Sequence, residues 1–358
     1  MRVTLFVEGL RPGGADRVIS EMANFWGAQG RPVTLITLEP PARDFYPLHP
    51  NVRRIAWSPP GRLRSLAQNT LGFGFLRRAI TASRPDVVVS FLDESNVRAL
   101  ACTLDLKIPI VISERSDPRQ YRLRARWRLL RRAFYPLAGA LVVQSRAVAG
   151  WAEKMVEPRK VRVIPNPVRL MTLDAAPCDP GEPVVMSMGR LIKTKGFDLL
   201  LDAFAEIAPR FPEWRLRIIG EGEERPALLA QAARLGLTDR FELPGLIADP
   251  APLLRQAGVY ALSSRYEGFP NALLEAMACA RPVVAFDCPA GPREIIRDEL
   301  DGLLVAPGRS DALAAALARL LASPSERAGL ASRAPEVRER FSLPRVMAKW
   351  DRLFSELV

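Results

Sequence analysis

Val259-Tyr260-Ala261-Leu262, followed by Ser263-Ser264-Arg265-Tyr266-Glu267-Gly268-Phe269-Pro270-Asn271-Ala272-Leu273-Leu274-Glu275, reads as a strand, a loop and the opening of a helix. The apolar run is short and closed by polar residues, as in a strand covered on both faces. Pro270 suits the first turn of the helix, where a missing N–H costs nothing. Gly268 frees the backbone just before it. The loop therefore stands at the carboxyl end of a strand, where open α/β sheets bind ligands. Glu267 lies in the loop and Glu275 two turns into the helix, and carboxylates accept hydrogen bonds from sugar and ribose hydroxyls. Backbone amides from Phe269 through Pro270 and Asn271 to Ala272 would face an anion at the positive end of the helix. A structural role competes for Glu275, as a buried partner of Arg190 or Lys195.

The same unit recurs on both sides. Strands are expected at Val184–Met188, Leu216–Ile219, Phe241–Leu243, Val283–Phe286 and Leu303–Val305, with helices at Phe197–Ala208, Pro226–Leu235, Pro252–Ala257, Asn271–Cys279 and Asp311–Ala322. Gly189-Arg190-Leu191 and Lys195-Gly196 share one strand-to-helix loop, and two cations so spaced can bracket a diphosphate. Two solvated loop cations are the competing reading. Upstream, strands are expected at Val3–Glu8, Val33–Leu38, Val87–Phe91, Ile108–Ser113, Ala140–Gln144 and Val161–Pro165, with helices at Ala15–Gln29 and Leu71–Ser83. This alternation predicts α/β domains with parallel sheets covered on both faces. Ile164-Pro165-Asn166-Pro167-Val168 opens a Pro/Asp/Gly-rich stretch that breaks it. The expected division is a domain over 1–165, a linker over 166–183, a domain over 184–340 and a last helix within 341–358. Gly13-Gly14 after the first strand lets backbone approach a phosphate or a sugar, although a plain tight turn explains the pair equally well.

A length of 358 residues accommodates two such domains, and 48% hydrophobic with 25% charged residues is the composition of a globular protein. No apolar run reaches the roughly 18 residues that span a bilayer. The first apolar stretch reads as a strand and not as a signal peptide, so a cytoplasmic protein is expected. Cys102, Cys178, Cys279 and Cys288 show neither a disulfide framework nor metal-ligand spacing. His49, the only histidine, leaves no second one for a relay. The net charge of +12 is uneven: residues 1–165 carry 27 Lys+Arg against 13 Asp+Glu, and the remainder 24 against 26. An anionic partner of the first half is implied.

In their order these motifs resemble glycosyltransferase family 4, which has the GT-B fold of two Rossmann-like domains facing across a cleft. The resemblance covers essentially the whole chain. It rests on Gly13-Gly14-Ala15-Asp16-Arg17, Ile164-Pro165-Asn166-Pro167, Gly189-Arg190-Leu191 with Lys195-Gly196, Gly220-Glu221-Gly222, the Glu267-to-Glu275 motif running on through Arg281-Pro282-Val283-Val284, and Gly302-Leu303-Leu304-Val305. It implies a hexosyltransferase that retains anomeric configuration, needs no metal or other cofactor, and uses a nucleotide-diphosphate sugar, a UDP-sugar being expected. Arg190 and Lys195 would bind the diphosphate. Glu267, with Gly268 and the amides beside it, would hold the sugar, and Glu275 the ribose. The backbone of Ile247 after Gly245 would meet the base, and Gly14 would approach the donor from the first domain. The last helix is expected to cross back to that domain.

Ser113-Glu114-Arg115-Ser116-Asp117-Pro118 departs from the many members that place a histidine where Arg115 stands. With Ser90-Phe91-Leu92-Asp93-Glu94-Ser95-Asn96 it resembles a bacterial subgroup that transfers galactose or N-acetylgalactosamine to polyprenyl-diphosphate-linked glycans. Gly13, Arg17, Asp93, Glu114 and Arg115 are the acceptor-side candidates. Two stretches, Arg62–Arg78 and Arg119–Tyr135, interleave arginines with apolar residues. Arg124, Arg126, Arg128 and Arg131 are expected at an anionic membrane or an acceptor diphosphate, with Trp127 and Phe134 inserted. A solvated helix face is the alternative. The expected setting is the cytoplasmic face of the inner membrane, without a nucleic-acid partner. A nicotinamide oxidoreductase lacks its G-x-G-x-x-G, a sugar epimerase of this fold leaves the basic surface unexplained, and a nucleic-acid-binding protein leaves the Glu267–Glu275 loop unexplained.

Overall fold

The computed structural model describes residues 1–57, 71–169 and 181–358. Arg62, Arg64, Cys178 and most of the expected linker fall outside the described residues. The chain forms two compact units, Met1–Asn166 with Val346–Val358, and Pro167–Arg345.

The first unit holds β1 (Val3–Val7), β2 (Val33–Thr37), β3 (Val52–Ala56), β4 (Val87–Phe91), β5 (Ile110–Ser113), β6 (Ala140–Val143) and β7 (Val161–Val163). They form one parallel sheet in the order β3-β2-β1-β4-β5-β6-β7. Every residue of β1, β2, β4, β5 and β6 is buried, which is why these strands read as apolar runs interrupted only by small hydroxyl residues. The order reverses between β1 and β4, so the loops leaving their carboxyl ends diverge, the arrangement that opens ligand crevices in such sheets. β3 was not foreseen because two of its five residues are arginines. It lies at the sheet edge, where Arg54 forks onto Asp44 at 3.0 and 2.9 Å. β5 starts at Ile110, two residues later than expected, because Pro109 has no N–H for the ladder.

The second unit repeats the scheme with β8 (Glu182–Met188), β9 (Arg215–Ile219), β10 (Phe241–Gly245), β11 (Ala257–Leu262), β12 (Val283–Phe286) and β13 (Leu303–Val305), all parallel, in the order β10-β9-β8-β11-β12-β13. Its order reverses between β8 and β11, the strands that carry the Lys195 and Glu267 loops. Apolar clusters pack on both faces, one around Phe204, Leu216 and Leu317, the other around Tyr260, Leu274 and Met277.

The last helix, Leu343–Leu357, buries Val346, Met347, Trp350, Leu353 and Phe354, a stripe at helical spacing. From Val346 onward it belongs to the first unit. Trp350 packs 6.2 Å from Phe91, Phe354 packs 5.4 Å from Trp26, and Asp351 accepts from Trp26 Nε1 at 3.1 Å and pairs with Arg31 at 2.6 Å. Trp350→Ala is therefore expected to cost about 3–5 kcal/mol and to release the helix. Urea denaturation followed by tryptophan fluorescence, with proteolysis at the C-terminus, checks this.

Candidate active site

In the second unit the loops leaving β8 and β11 are joined along their length. Ser263 Oγ donates to the Lys195 carbonyl at 3.0 Å, and the Arg265 N–H to the Thr194 carbonyl at 2.8 Å. Thr194 Oγ1 and Tyr266 OH share a hydrogen bond of 3.2 Å. Gly196, at φ 63°, caps the Phe197–Ile207 helix, and a Cβ there would lie 2.0 Å from the Ser263 carbonyl oxygen. Only glycine allows this approach. As a result Lys195 Nζ meets Glu267 Oε1 at 2.6 Å, and Ser264 Oγ donates to the same oxygen at 2.6 Å. The carboxylate beside Lys195 is thus Glu267 and not Glu275, which lies buried in the Asn271–Ala278 helix. Arg190 is exposed on the same loop as Lys195.

The other donor-side candidates of the second unit stand on its strand ends and helix starts. Gly245, at φ 90°, ends β10 and accepts from the Gly220 N–H at 2.9 Å, and Ile247 follows, half-buried. Pro270 has no N–H, so the amides at the head of the Asn271–Ala278 helix are those of Phe269, Asn271 and Ala272. The Phe269 ring is buried edge-on to Phe341, with centroids 5.6 Å apart. Gly268 is buried with it, its carbonyl against Gly291 in the loop after β12. Burial pushes the Cys288 thiol up to about 12, and the Glu267 charge adds to this. Cys288 therefore stays protonated near neutral pH.

In the first unit the carboxyl ends of β4 and β5 carry a second polar cluster. Leu92 turns the chain at φ 76°, a costly conformation for leucine, and Asp93 opens the Asp93–Cys102 helix. Asp93 accepts from the Glu94 N–H at 2.7 Å and from Tyr121 OH at 2.9 Å. Glu114, buried, accepts from Tyr135 OH and, at 3.5 Å, from Tyr121 OH. Burial, and then the nearby Asp93 charge, raises the Glu114 carboxyl to about 7, although both tyrosines and Arg131 oppose the rise. The sequence places Tyr121 and Tyr135 among the aromatic residues of the basic stretch and gives no sign that they partner Asp93 and Glu114.

Arg115 is buried too. Its guanidinium lies 4.1 Å over the Phe91 ring, donates to Ser113 Oγ at 3.2 Å and to Asn166 Oδ1, and is lowered to about 9 by burial. Gln144 donates to the same Asn166 oxygen at 2.8 Å. Arg115 thus fastens the Ile164–Pro167 motif. Gly13 exchanges hydrogen bonds with Tyr46 OH at 3.2 Å, Gly14 starts the Gly14–Ala28 helix, and Arg17 is buried beside Glu21 at 3.5 Å. His49 accepts from the Asn51 N–H at the amino end of β3, away from these loops.

The expected membrane residues need correction. Trp127 is buried under Arg98, whose guanidinium lies 4.9 Å from its ring. Arg131 is buried over Trp151 at 5.0 Å, and Phe134 is half-buried. These side chains form the packed face of the Ala125–Phe134 helix, so Trp127 is not available for insertion. The outer face carries Arg126, Arg128 and Arg132 around Leu129, which is 66% exposed. Arg124 precedes the helix, and Leu137, 56% exposed, follows it.

Two family models match the chain: one described as Glycosyltransferase Family 4 over residues 12–171, and one described as Glycosyl transferases group 1 over 182–323. Together they take in more than four fifths of the sequence. The chain belongs to glycosyltransferase family 4. This family 4 glycosyltransferase is 28% identical to the Campylobacter jejuni "GalNAc-alpha-(1->4)-GalNAc-alpha-(1->3)-diNAcBac-PP-undecaprenol alpha-1,4-N-acetyl-D-galactosaminyltransferase", over 100% of this chain and 99% of that one. It is also 28% identical to the amylovoran biosynthesis glycosyltransferase AmsD of Erwinia amylovora, over 98% of each chain. Among solved structures, Anabaena HepE in complex with UDP-glucose superposes with a TM-score of 0.84 at 20% identity, over 99% of this chain and 100% of that one. That likeness establishes the GT-B fold.

The Glu114 carboxyl makes the stability of the family 4 enzyme depend on pH. Raised from an ordinary 4.5 to about 7, it supports the folded state fully below 4.5 and loses that support as pH rises to 7, because a buried charge must then form. Glu114→Gln removes the titration. Relative to the parent, the variant should gain on the order of 3 kcal/mol between pH 4.5 and pH 8, read by urea denaturation at both. A pH-independent difference would place the carboxyl's titration elsewhere.

Proposed function

We propose that this enzyme transfers a hexose or N-acetylhexosamine from a UDP-sugar to a lipid-linked glycan acceptor in bacterial surface polysaccharide or glycan assembly, with retention and without a metal ion. The observation that carries the reading is the contact of Lys195 with Glu267 at the reversal of the second sheet. It sets an ammonium beside a carboxylate, the first suited to a diphosphate and the second to sugar hydroxyls. The Campylobacter relative's name gives a PP-undecaprenol-linked glycan, and the Anabaena structure holds UDP-glucose. Both support this choice of donor and acceptor.

In the proposed step the bond from the anomeric carbon to the diphosphate oxygen breaks, the acceptor oxygen bonds to the same face, and its proton passes to the departing phosphate oxygen. Arg190 and Lys195 neutralise the charge that develops there. Glu267 and the amides of Phe269, Asn271 and Ala272 hold the sugar. Glu275 holds the ribose, and the backbone of Gly245 and Ile247 meets the base. On the first unit, Asp93 with Tyr121 is the acceptor-side candidate.

Lys195→Ala and Arg190→Ala should each cost about 2 kcal/mol or more in transfer, roughly thirtyfold, with thermal stability near the parent's. Nucleotide release with and without acceptor measures this, and the parent should keep its rate in excess EDTA. A double alanine variant with normal transfer removes both residues from the step. Loss in EDTA that is reversed by Mg²⁺ or Mn²⁺ refutes metal independence.

No helix among the described residues is long and apolar enough to cross a membrane. The first unit is proposed to dock on the cytoplasmic face of the inner membrane through Arg124, Arg126, Arg128 and Arg132, with Leu129 and Leu137 inserting. Each arginine near an anionic surface contributes about 1 kcal/mol, which salt screens, while the leucines add a salt-resistant part. Sedimentation with anionic and neutral vesicles should show salt-sensitive binding, lost when the four arginines become serine and weakened at high salt by Leu129→Ser. A parent that ignores anionic vesicles at low salt favours a soluble acceptor.

A further inference from the structure

Arg265 and Asp198 have no part in the step above, yet their ion pair braces the segment that carries Lys195. Arg265 leaves β11 two residues before Glu267. Its guanidinium forks onto Asp198, Nη1 to Oδ1 at 2.8 Å and Nη2 to Oδ2 at 2.7 Å, and Nη1 also donates to the Lys193 carbonyl at 2.7 Å. With its backbone N–H on Thr194, one residue thus holds the Lys193–Lys195 turn at two points, Lys193 and Thr194, and the next helix at Asp198 in its first turn. Such forked pairs fix direction as well as distance. Partial burial raises the Asp198 carboxyl, but Arg265, with Lys193 nearby, outweighs it and holds the group below its ordinary value.

We propose that the Arg265–Asp198 pair is a positioning device for the transfer, setting where Lys195 Nζ stands relative to Glu267 and so how tightly the enzyme holds a nucleoside diphosphate. The inference rests on the donor-site reading given above. Lys195 stands on a short turn just before the Phe197–Ile207 helix, and the contacts that hold the turn come from the Glu267 loop. An Arg265 side chain shortened to lysine keeps the charge and loses the fork, which frees the turn to shift. A shift of about 1 Å is enough to uncouple a catalytic charge from its target.

The experiment measures binding of uridine diphosphate, and of guanosine diphosphate as a second probe, by calorimetry to the full chain carrying Arg265→Lys, Asp198→Asn, both, or Lys195→Ala. Arg265→Lys and Asp198→Asn should each weaken binding about tenfold at unchanged stoichiometry, with the double variant no weaker than either single one because the pair acts as a unit. The donor KM should rise with them while the acceptor KM stays put. A merely structural role would lower the stoichiometry and leave the dissociation constant alone, and that result overturns the proposal. So does parent-like binding by Arg265→Lys when Lys195→Ala binds weakly, which rejects the positioning role alone. If Lys195→Ala binds as the parent does, or the parent binds neither nucleotide, the donor-site reading fails and this inference falls with it.

Discussion

The carboxyl ends of β8, β9 and β11 come closer together than side chains permit, and the arrangement of the second unit's site depends on that approach. A Cβ on Gly196 would lie 2.0 Å from the Ser263 carbonyl oxygen, and one on Gly220 would lie 1.9 Å from that of Gly189. Backbone contact of this kind brings two loops from distant parts of the chain into hydrogen-bonding range. Lys195 and Glu267 then meet across 72 residues of sequence. Backbone packing brings the two charges within reach of one another, and side chains of the same loops complete the arrangement.

The first unit solves a different problem with the same sheet. Its carboxyl ends carry buried ionisable groups, Glu114 and Arg115, each settled by neighbours from several segments of the chain. Glu114 relies on two tyrosines, and Arg115 on Ser113, Asn166 and the face of Phe91. Burial works against both charges, raising the acid and lowering the base. Such sites hold their shape through hydrogen bonds and stacking more than through ion pairing. This explains how an arginine is tolerated in the buried loop after β5.

The uneven charge of the two halves likewise resolves into a few positions. Of the arginines between 119 and 135, Arg131 turns inward over Trp151, and Arg119 is tied to Asp117 at 2.8 Å. Those facing outward lie beside the exposed Leu129, with Leu137 exposed after the helix. A stretch that reads as uniformly amphipathic is thus divided by the helix into a packed aromatic side and an outer basic side with an apolar centre.

The sequence by itself determined the alternation of strands and helices, since a strand buried on both faces has to be a continuous apolar run, as Val87–Phe91 and Val283–Phe286 are. It also marked Glu267, Glu275, Arg190 and Lys195, because a strand end followed by glycine, proline and a helix start is a local pattern. The edge strand Val52–Ala56 escaped because arginines are tolerated where one side meets water. The assignment of Trp127 to insertion failed because periodicity gives a stripe without saying what covers it. Only the tertiary structure decided that Lys195 pairs with Glu267, that Arg265 reaches back to Asp198, and that Arg115 turns inward. These are contacts between segments far apart in the chain, and the strand order that brings them together is written in no single segment.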